Sequence, residues 1–409
     1  MTLRRSLVAA ARGWAAALCV LGLAQFLLPA RVQAADWHVS TAEQLRAALQ
    51  TAAHNGEDDT IYLAAGTYAQ GLEYVASDGK SLVVRGEPGT TAGDVFVHSR
   101  TVNSAACDIS GRDTPGARVR LQGLTLERST ASGLAIVGRS GGLQVILDGV
   151  VLQGNTAQGD GGGISAQQYA TGTLRLEIWN SIIRDNLAPG SAGRQGRGAG
   201  IYLIASGGAA RAELLVVNSL IVNNQGNWPG AGLQLIASDQ GAGNSVQATF
   251  VNTTISGNAS AVFGGSGVDI WSGPGSSGPS LAMYNTILYG NRSADGREAW
   301  DLWVESARGT NIAIDAYNCD IGDVWGGSGI YHAYAVISQD PAFADAAHGD
   351  YHLSSASPCL DLGTLAVPVP PGLPATDLDG RPRVMGSAPD MGAYERRATW
   401  LLFLPVVRR

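Results

Sequence analysis

The chain has 409 residues, 55 of them glycine, and a formal net charge of −7. That acidic balance argues against a nucleic-acid partner. Glycine at this level without a three-residue period excludes collagen, and the steady aliphatic content argues against disorder.

Arg4 and Arg5 precede an apolar run from Trp14 to Leu28, and Val32-Gln33-Ala34 supplies small residues for cleavage. Residues 1–34 therefore read as a secretory signal peptide. The run is too short for a convincing membrane span, and no later stretch reads as a transmembrane helix. After cleavage Cys107, Cys319 and Cys359 remain. They make no disulfide framework, so packing must supply the stability.

Residues 35–79 read as an N-terminal cap with the first strands. Ser40-Thr-Ala-Glu43 has the form of a capping box, and Leu45, Ala48 and Leu49 follow at helical spacing. This spacing predicts a short helix over 41–53 that covers the end of a solenoid. Asp59-Thr-Ile-Tyr-Leu-Ala-Ala-Gly-Thr-Tyr68 then starts the strands. A helix leading into that strand resembles the opening of secreted pectate-lyase-like β-helix proteins.

Residues 80–339 hold a repeat. Five segments align without gaps on Asn180, Asn218, Asn252, Asn285 and Asn318, and two earlier ones join with Gly123 and Gly149 in the Asn column. A small residue follows each Asn: Ser181, Ser219, Thr253, Thr286 and Cys319. An aliphatic residue comes two later: Ile183, Ile221, Ile255, Leu288 and Ile321. Apolar residues two and four positions before each Asn give the period-two alternation of a half-buried strand. Asn tolerates the left-handed backbone of a sharp corner. Stacked at ~4.8 Å, the five Asn side chains are expected to hydrogen-bond from coil to coil. A Gly-rich stretch and a second strand follow in each unit. The pattern predicts an all-β, right-handed parallel β-helix solenoid with a short N-terminal capping helix. No recurring 3.6-residue period supports an α-solenoid, and the units carry too few strands for propeller blades.

On the second strand, aligning Val268-Asp-Ile-Trp271 with Trp300-Asp-Leu-Trp303 places Asp269 over Asp301 and Trp271 over Trp303, all facing outward. Two carboxylates one coil apart suit cation binding or acid/base work, with Glu305 close by. Asp269, Asp301 and Glu305 are the candidate catalytic residues, and Asp269 and Asp301 the candidate metal ligands. Trp271, Trp303 and Tyr202 are candidate sugar-stacking positions. The competing reading is an ordinary solvated sheet face with an aromatic ladder. A β-eliminating lyase would need a Lys or Arg base and commonly Ca²⁺. The only lysine, Lys80, lies far from the repeat centre, and no Gly-His-Gly or Arg-x-Lys hydrolase pattern occurs. No cofactor is expected, and Ca²⁺ enters only under the lyase alternative. Trp179, Tyr284 and Tyr317, just before the corner Asn, form a further outward column.

Residues 340–395 differ in character. Asp340-Pro-Ala-Phe343, Gly349-Asp-Tyr-His-Leu353, Ser357-Pro-Cys-Leu-Asp-Leu-Gly363, Asp377-Leu-Asp-Gly-Arg-Pro-Arg383 and Pro389-Asp-Met-Gly-Ala-Tyr-Glu395 follow in order. Together they resemble the choice-of-anchor domain of type Q that ends many bacterial β-helix surface proteins, with Cys359 where that family usually has Ala. The resemblance implies export and surface display. The tail, 396–409, is apolar but too short to span a bilayer. The expectation is a monomeric, secreted or surface-attached protein. Its partner is a polysaccharide or an envelope component, bound without catalysis. The alternative is a polysaccharide lyase or glycoside hydrolase acting on uronate polymers.

Overall fold

The computed structural model describes residues 36–396, except 113–115, 192–194, 263, 294–298, 308–311, 327–328, 369 and 371. Residues 1–35, which hold the expected signal peptide, and the tail from 397 onward lie outside the described residues.

Each coil contributes strands to three long parallel sheets. The first holds eleven strands, from Asp36–Val39 to Gly329–Tyr334. The second and third hold nine each, ending in Val324–Gly326 and Asp320–Ile321. The architecture is the right-handed parallel β-helix that the repeat predicts. The apolar positions before the corner, from Leu176 and Ile178 to Ile314 and Ala316, are buried. So is the aliphatic column from Ile183 to Ile321. Together they fill one continuous core along the solenoid axis.

The corners match the sequence. Gly123, Gly149, Asn180, Asn218, Asn252, Asn285 and Asn318 all have φ between 46° and 62°. Only Gly and Asn enter that region cheaply. The small residue after each Asn has its own task. The hydroxyls of Ser181, Ser219, Thr253 and Thr286 donate back across the corner to the carbonyl two residues earlier, as does the Cys319 thiol. These bonds tie the two ends of the turn together.

The expected side-chain ladder lies elsewhere. In the first Asn column, direct amide bonds join Asn218 to Asn180 (2.7 Å) and Asn285 to Asn252 (3.3 Å). The remaining capacity goes to the C-terminal segment. Arg383 donates to Asn218 Oδ1, Asn252 donates to the Asp390 carbonyl, Asn285 to that of Thr364 and Asn318 to that of Leu362. The continuous ladder is the second Asn column. Asn155, Asn186, Asn224 and Asn258 each donate Nδ2 to the Oδ1 of the next Asn at 2.8–3.0 Å, ending on Asn291. Each backbone N–H donates to the same oxygen. All five are at most 5% exposed. A second left-handed corner precedes each of them, at Gly154, Asp185, Asn223, Gly257 and Gly290. Gly133, Gly163, Gly200, Gly232 and Gly267 leave room for the five amides. A Cβ on any of these glycines would come within 3.0 Å of an Asn Nδ2. This close approach explains the Gly-rich stretch in each unit.

The helix spans Ala42–Ala52 and buries Leu45, Ala48, Leu49 and Ala52 against the first coils. Its capping box differs from the expected one. Thr41 is the N-cap and Gln44 the reciprocal partner, one residue later than Ser40 and Glu43. Thr41 is the residue in the extended conformation that an N-cap needs.

Residues 340–396 pack along the outside of the third sheet. They begin with a small antiparallel ribbon, Phe343–Asp345 with Asp350–Leu353. Tyr351 and Ala393 bury Leu220 and Val222, while Leu353, Cys359 and Met391 bury Ile287. Tyr284 stacks on Tyr317 and Tyr317 on Tyr334, at 5.1 and 4.7 Å. Val367 packs on the Trp179, Tyr284 and Tyr317 cluster, so this column is largely covered packing. Arg383 is 1% exposed and also donates to the Gly392 and Ala393 carbonyls. Glu395, equally buried, accepts from the Met385 and Asp390 N–H groups. His352 bridges Asp350 and Asp379. Among the described residues no group of three or more His, Cys, Asp or Glu side chains could hold a metal ion, and no helix is long and apolar enough to cross a membrane.

Candidate functional site

The second sheet carries the candidate residues on strands Ile201–Ala205, Leu233–Ala237, Gly264–Ser272 and Ala299–Ser306. Their register runs Tyr202–Gln234–Asp269–Trp303–Trp325 across five coils. Alternation turns Leu203, Leu235, Ile270 and Val304 into the core and leaves this row, with Trp271 and Glu305, on the outer side.

The expected pairing of Asp269 with Asp301 does not occur. Asp269 lies opposite Trp303, and Trp271 opposite Glu305. A bulge between Gly265 and Val268 adds a residue to the earlier strand and shifts the register. The shared Asp-x-Trp pattern of the two strands therefore does not mark equivalent positions. Asp301 has a different place. Its Oδ1 accepts the Asn291 N–H and Nδ2 at 2.9 and 2.7 Å, and its Oδ2 accepts the Asp323 N–H. It takes the position that another Asn would fill and terminates the buried ladder. Asp301 thus stands at the end of the ladder and not opposite Asp269.

Asp269, Trp271, Trp303 and Glu305 share a cavity of about 560 Å³. That size lies within the ~300–1,000 Å³ typical of small-ligand sites. Loops from neighbouring coils add residues that sequence patterning did not single out: Arg197, Trp228 and Asp239. Gln234 also lines it. Trp228 stands 39% exposed at its edge. Trp303 is fixed by Trp325, stacked at 3.8 Å, and by Trp300, edge-on at 5.0 Å. Tyr202 is buried one coil behind Gln234, where Arg197 hydrogen-bonds it. Burial is the main reason its phenol is pushed up to about 12. It supports the wall and is not among the lining residues.

Asp269 is 7% exposed. Burial, reinforced by the nearby Glu305, pushes its carboxyl up to about 7, against a hydrogen bond from Gln234 and the charge of Arg197. It therefore exchanges a proton near neutrality, the range an acid/base group needs. Glu305, by contrast, is exposed.

No protein-family model matches the sequence, and no curated protein matches it. Solved structures similar to it include a pectate lyase, at 12% identity over 90% of this chain and 98% of that one, with a TM-score of 0.49. An alginate lyase from Paenibacillus sp. has 12% identity, coverage of 74% and 99%, and a TM-score of 0.33. The A-module of a mannuronan C-5 epimerase from Azotobacter vinelandii has 12%, 74% and 98%, and 0.25.

Proposed function

We propose that this chain is a secreted β-helix protein that binds carbohydrate in the cavity between Trp228, Trp271 and Trp303. The observation that carries the reading is the pairing of three indoles with a floor of amide and carboxyl groups. Sugar rings offer apolar C–H faces to indoles and hydroxyls to planar polar side chains, so such a cavity serves both surfaces of a glycan. The resemblance of residues 340–395 to a surface-anchoring domain supports display outside the cell.

Trp271→Ala tests the reading by calorimetric titration with a glycan that binds the intact protein. Removing the indole is expected to cost about 2 kcal/mol, roughly thirty-fold in Kd. An unchanged Kd for both Trp271→Ala and Trp228→Ala would move binding away from this cavity.

A second reading is cleavage of the bound glycan. It is favoured by Asp269, a buried acid exchanging its proton near pH 7, one coil from the exposed carboxylate of Glu305. In this role Asp269 would protonate the leaving oxygen while Glu305 takes a proton from a water that attacks the anomeric carbon, so that the water's hydroxyl ends on the new reducing end. The expected sign is new reducing ends that disappear in Asp269→Asn while glycan binding survives. Binding without any release of reducing ends across a broad panel leaves the protein a binder.

A further inference from the structure

We infer that the cavity takes an uncharged, hydroxyl-rich glycan and rejects carboxylated ones; this rests on the carbohydrate reading above. The ionisable groups lining it are unbalanced. Among the described residues, Asp239, Asp269 and Glu305 face one cation, Arg197. The Arg197 side chain also hydrogen-bonds Tyr202. The one guanidinium of the described lining, the usual receptor for a carboxylate, is thus shared with Tyr202 and outnumbered by carboxyl groups.

The hydrogen-bonding inventory points the same way. Gln234 is 3% exposed and lines the cavity, and its Oε1 has no hydrogen-bond partner. Its Nε2 is turned to the Asp269 carbonyl at 3.4 Å. Glu305 and Asp239 present carboxylate oxygens, which only accept. The Gln234 Oε1 and the carboxylates of Glu305 and Asp239 thus call for hydrogen-bond donors on the ligand. Each hydroxyl of a neutral sugar donates. A uronate replaces a donor with a further acceptor and brings negative charge beside Glu305 and Asp239, where it is repelled.

The test uses the full chain and matched pairs of oligosaccharides. Each pair has the same ring and linkage, one member neutral and the other carrying uronate groups. Calorimetric titration at low and high salt reads the Kd ratio. The expected result is a neutral member that binds at least ten-fold tighter than its uronate counterpart, with the gap shrinking in high salt as the repulsion is screened. Glu305→Gln, on an exposed residue that folding does not need, should narrow the gap several-fold. Equal or tighter binding of the uronate member in the pairs that bind would overturn this inference and leave carbohydrate binding standing. Failure of both members in every pair would sink the carbohydrate reading itself.

Discussion

Asn224→Leu is expected to destabilise the protein by about 4 kcal/mol, because buried groups left without partners cost roughly 1–3 kcal/mol each. Asn224 sits in the middle of the buried ladder. Its Nδ2 donates to the Ile183 and Val222 carbonyls and to Asn258 Oδ1, and its Oδ1 accepts the Asn186 N–H and Nδ2. Leucine satisfies none of these and must occupy a space closed by Gly200. Asn180 provides the comparison. It is exposed at a left-handed corner and bonds Asp148 and Asn218. Asn180→Leu should cost about 1–2 kcal/mol, mostly the backbone penalty of a branched residue there. Asp301→Asn should cost about 1 kcal/mol, since an amide oxygen can still accept from Asn291 but the amide NH2 cannot accept the Asp323 N–H. Denaturant midpoints with an unchanged slope would read these differences. Similar losses for Asn224→Leu and Asn180→Leu would mean that the inner ladder is not the stabilising column.

Acidification from pH 8 to pH 5 is expected to raise the unfolding temperature, a direction opposite to that of most proteins stabilised by ion pairs. Four buried carboxyls set the sign. Burial pushes Asp269 and Glu395 up to about 7, and Asp301 and Asp320 to about 6. Their ordinary values are 3.8 for Asp and 4.5 for Glu. Between those ordinary values and the raised ones, the folded chain holds protons that the unfolded chain has released. Stability therefore falls as pH rises through this window. His352 adds to the trend. Burial opposes its charge, but Asp379 and Asp350 prevail and raise it, so its stabilisation is present below its unfolded value and lost as pH rises through the folded one. Glu177 and Asp350 are lowered, and their stabilisation disappears only in stronger acid. At roughly 1.4 kcal/mol per pKa unit, the loss between pH 5 and pH 8 should be about 3 kcal/mol or more. The double variant Asp269→Asn with Glu395→Gln should flatten the profile. A melting temperature that climbs steadily from pH 5 to pH 8 would contradict the assignment of these carboxyls as protonated.

The parts of the fold legible in the sequence are those governed by local backbone chemistry. The corner residues could be found because a left-handed turn admits few side chains, so Asn180 through Asn318 repeat in step with Gly123 and Gly149. The apolar columns could be found because alternation is strict. The inner ladder was present as a second Asn in each unit, preceded by Gly, Asp or Asn, but its burial depends on glycines from neighbouring coils. The site was only half legible. Asp269, Trp271 and Trp303 lie on the outer face as alternation predicts, since alternation survives the register shift. The partner of Asp269 was not legible, because a bulge leaves no mark beyond a Gly-rich stretch. Arg197, Trp228 and Asp239 reach the cavity from loops, and no periodicity governs which loop meets which strand. The docking of Arg383 onto Asn218 joins positions far apart in the chain, which pattern reading along one strand does not connect.

The bulge between Gly265 and Val268 has an evolutionary meaning as well. A stacked repeat hands its alignment from one coil to the next, so a residue added in one coil changes which outward side chains meet in the coils beyond it. The additional residue moves the alignment by one position, so that Asp269 meets Trp303 and not Asp301. The same strand, Ala299–Ser306, closes the ladder with Asp301 and opens the cavity with Trp303. Descendants of this chain could therefore change what they recognise by gaining or losing a single residue beside Ser266, while the ladder and core behind it stay as they are.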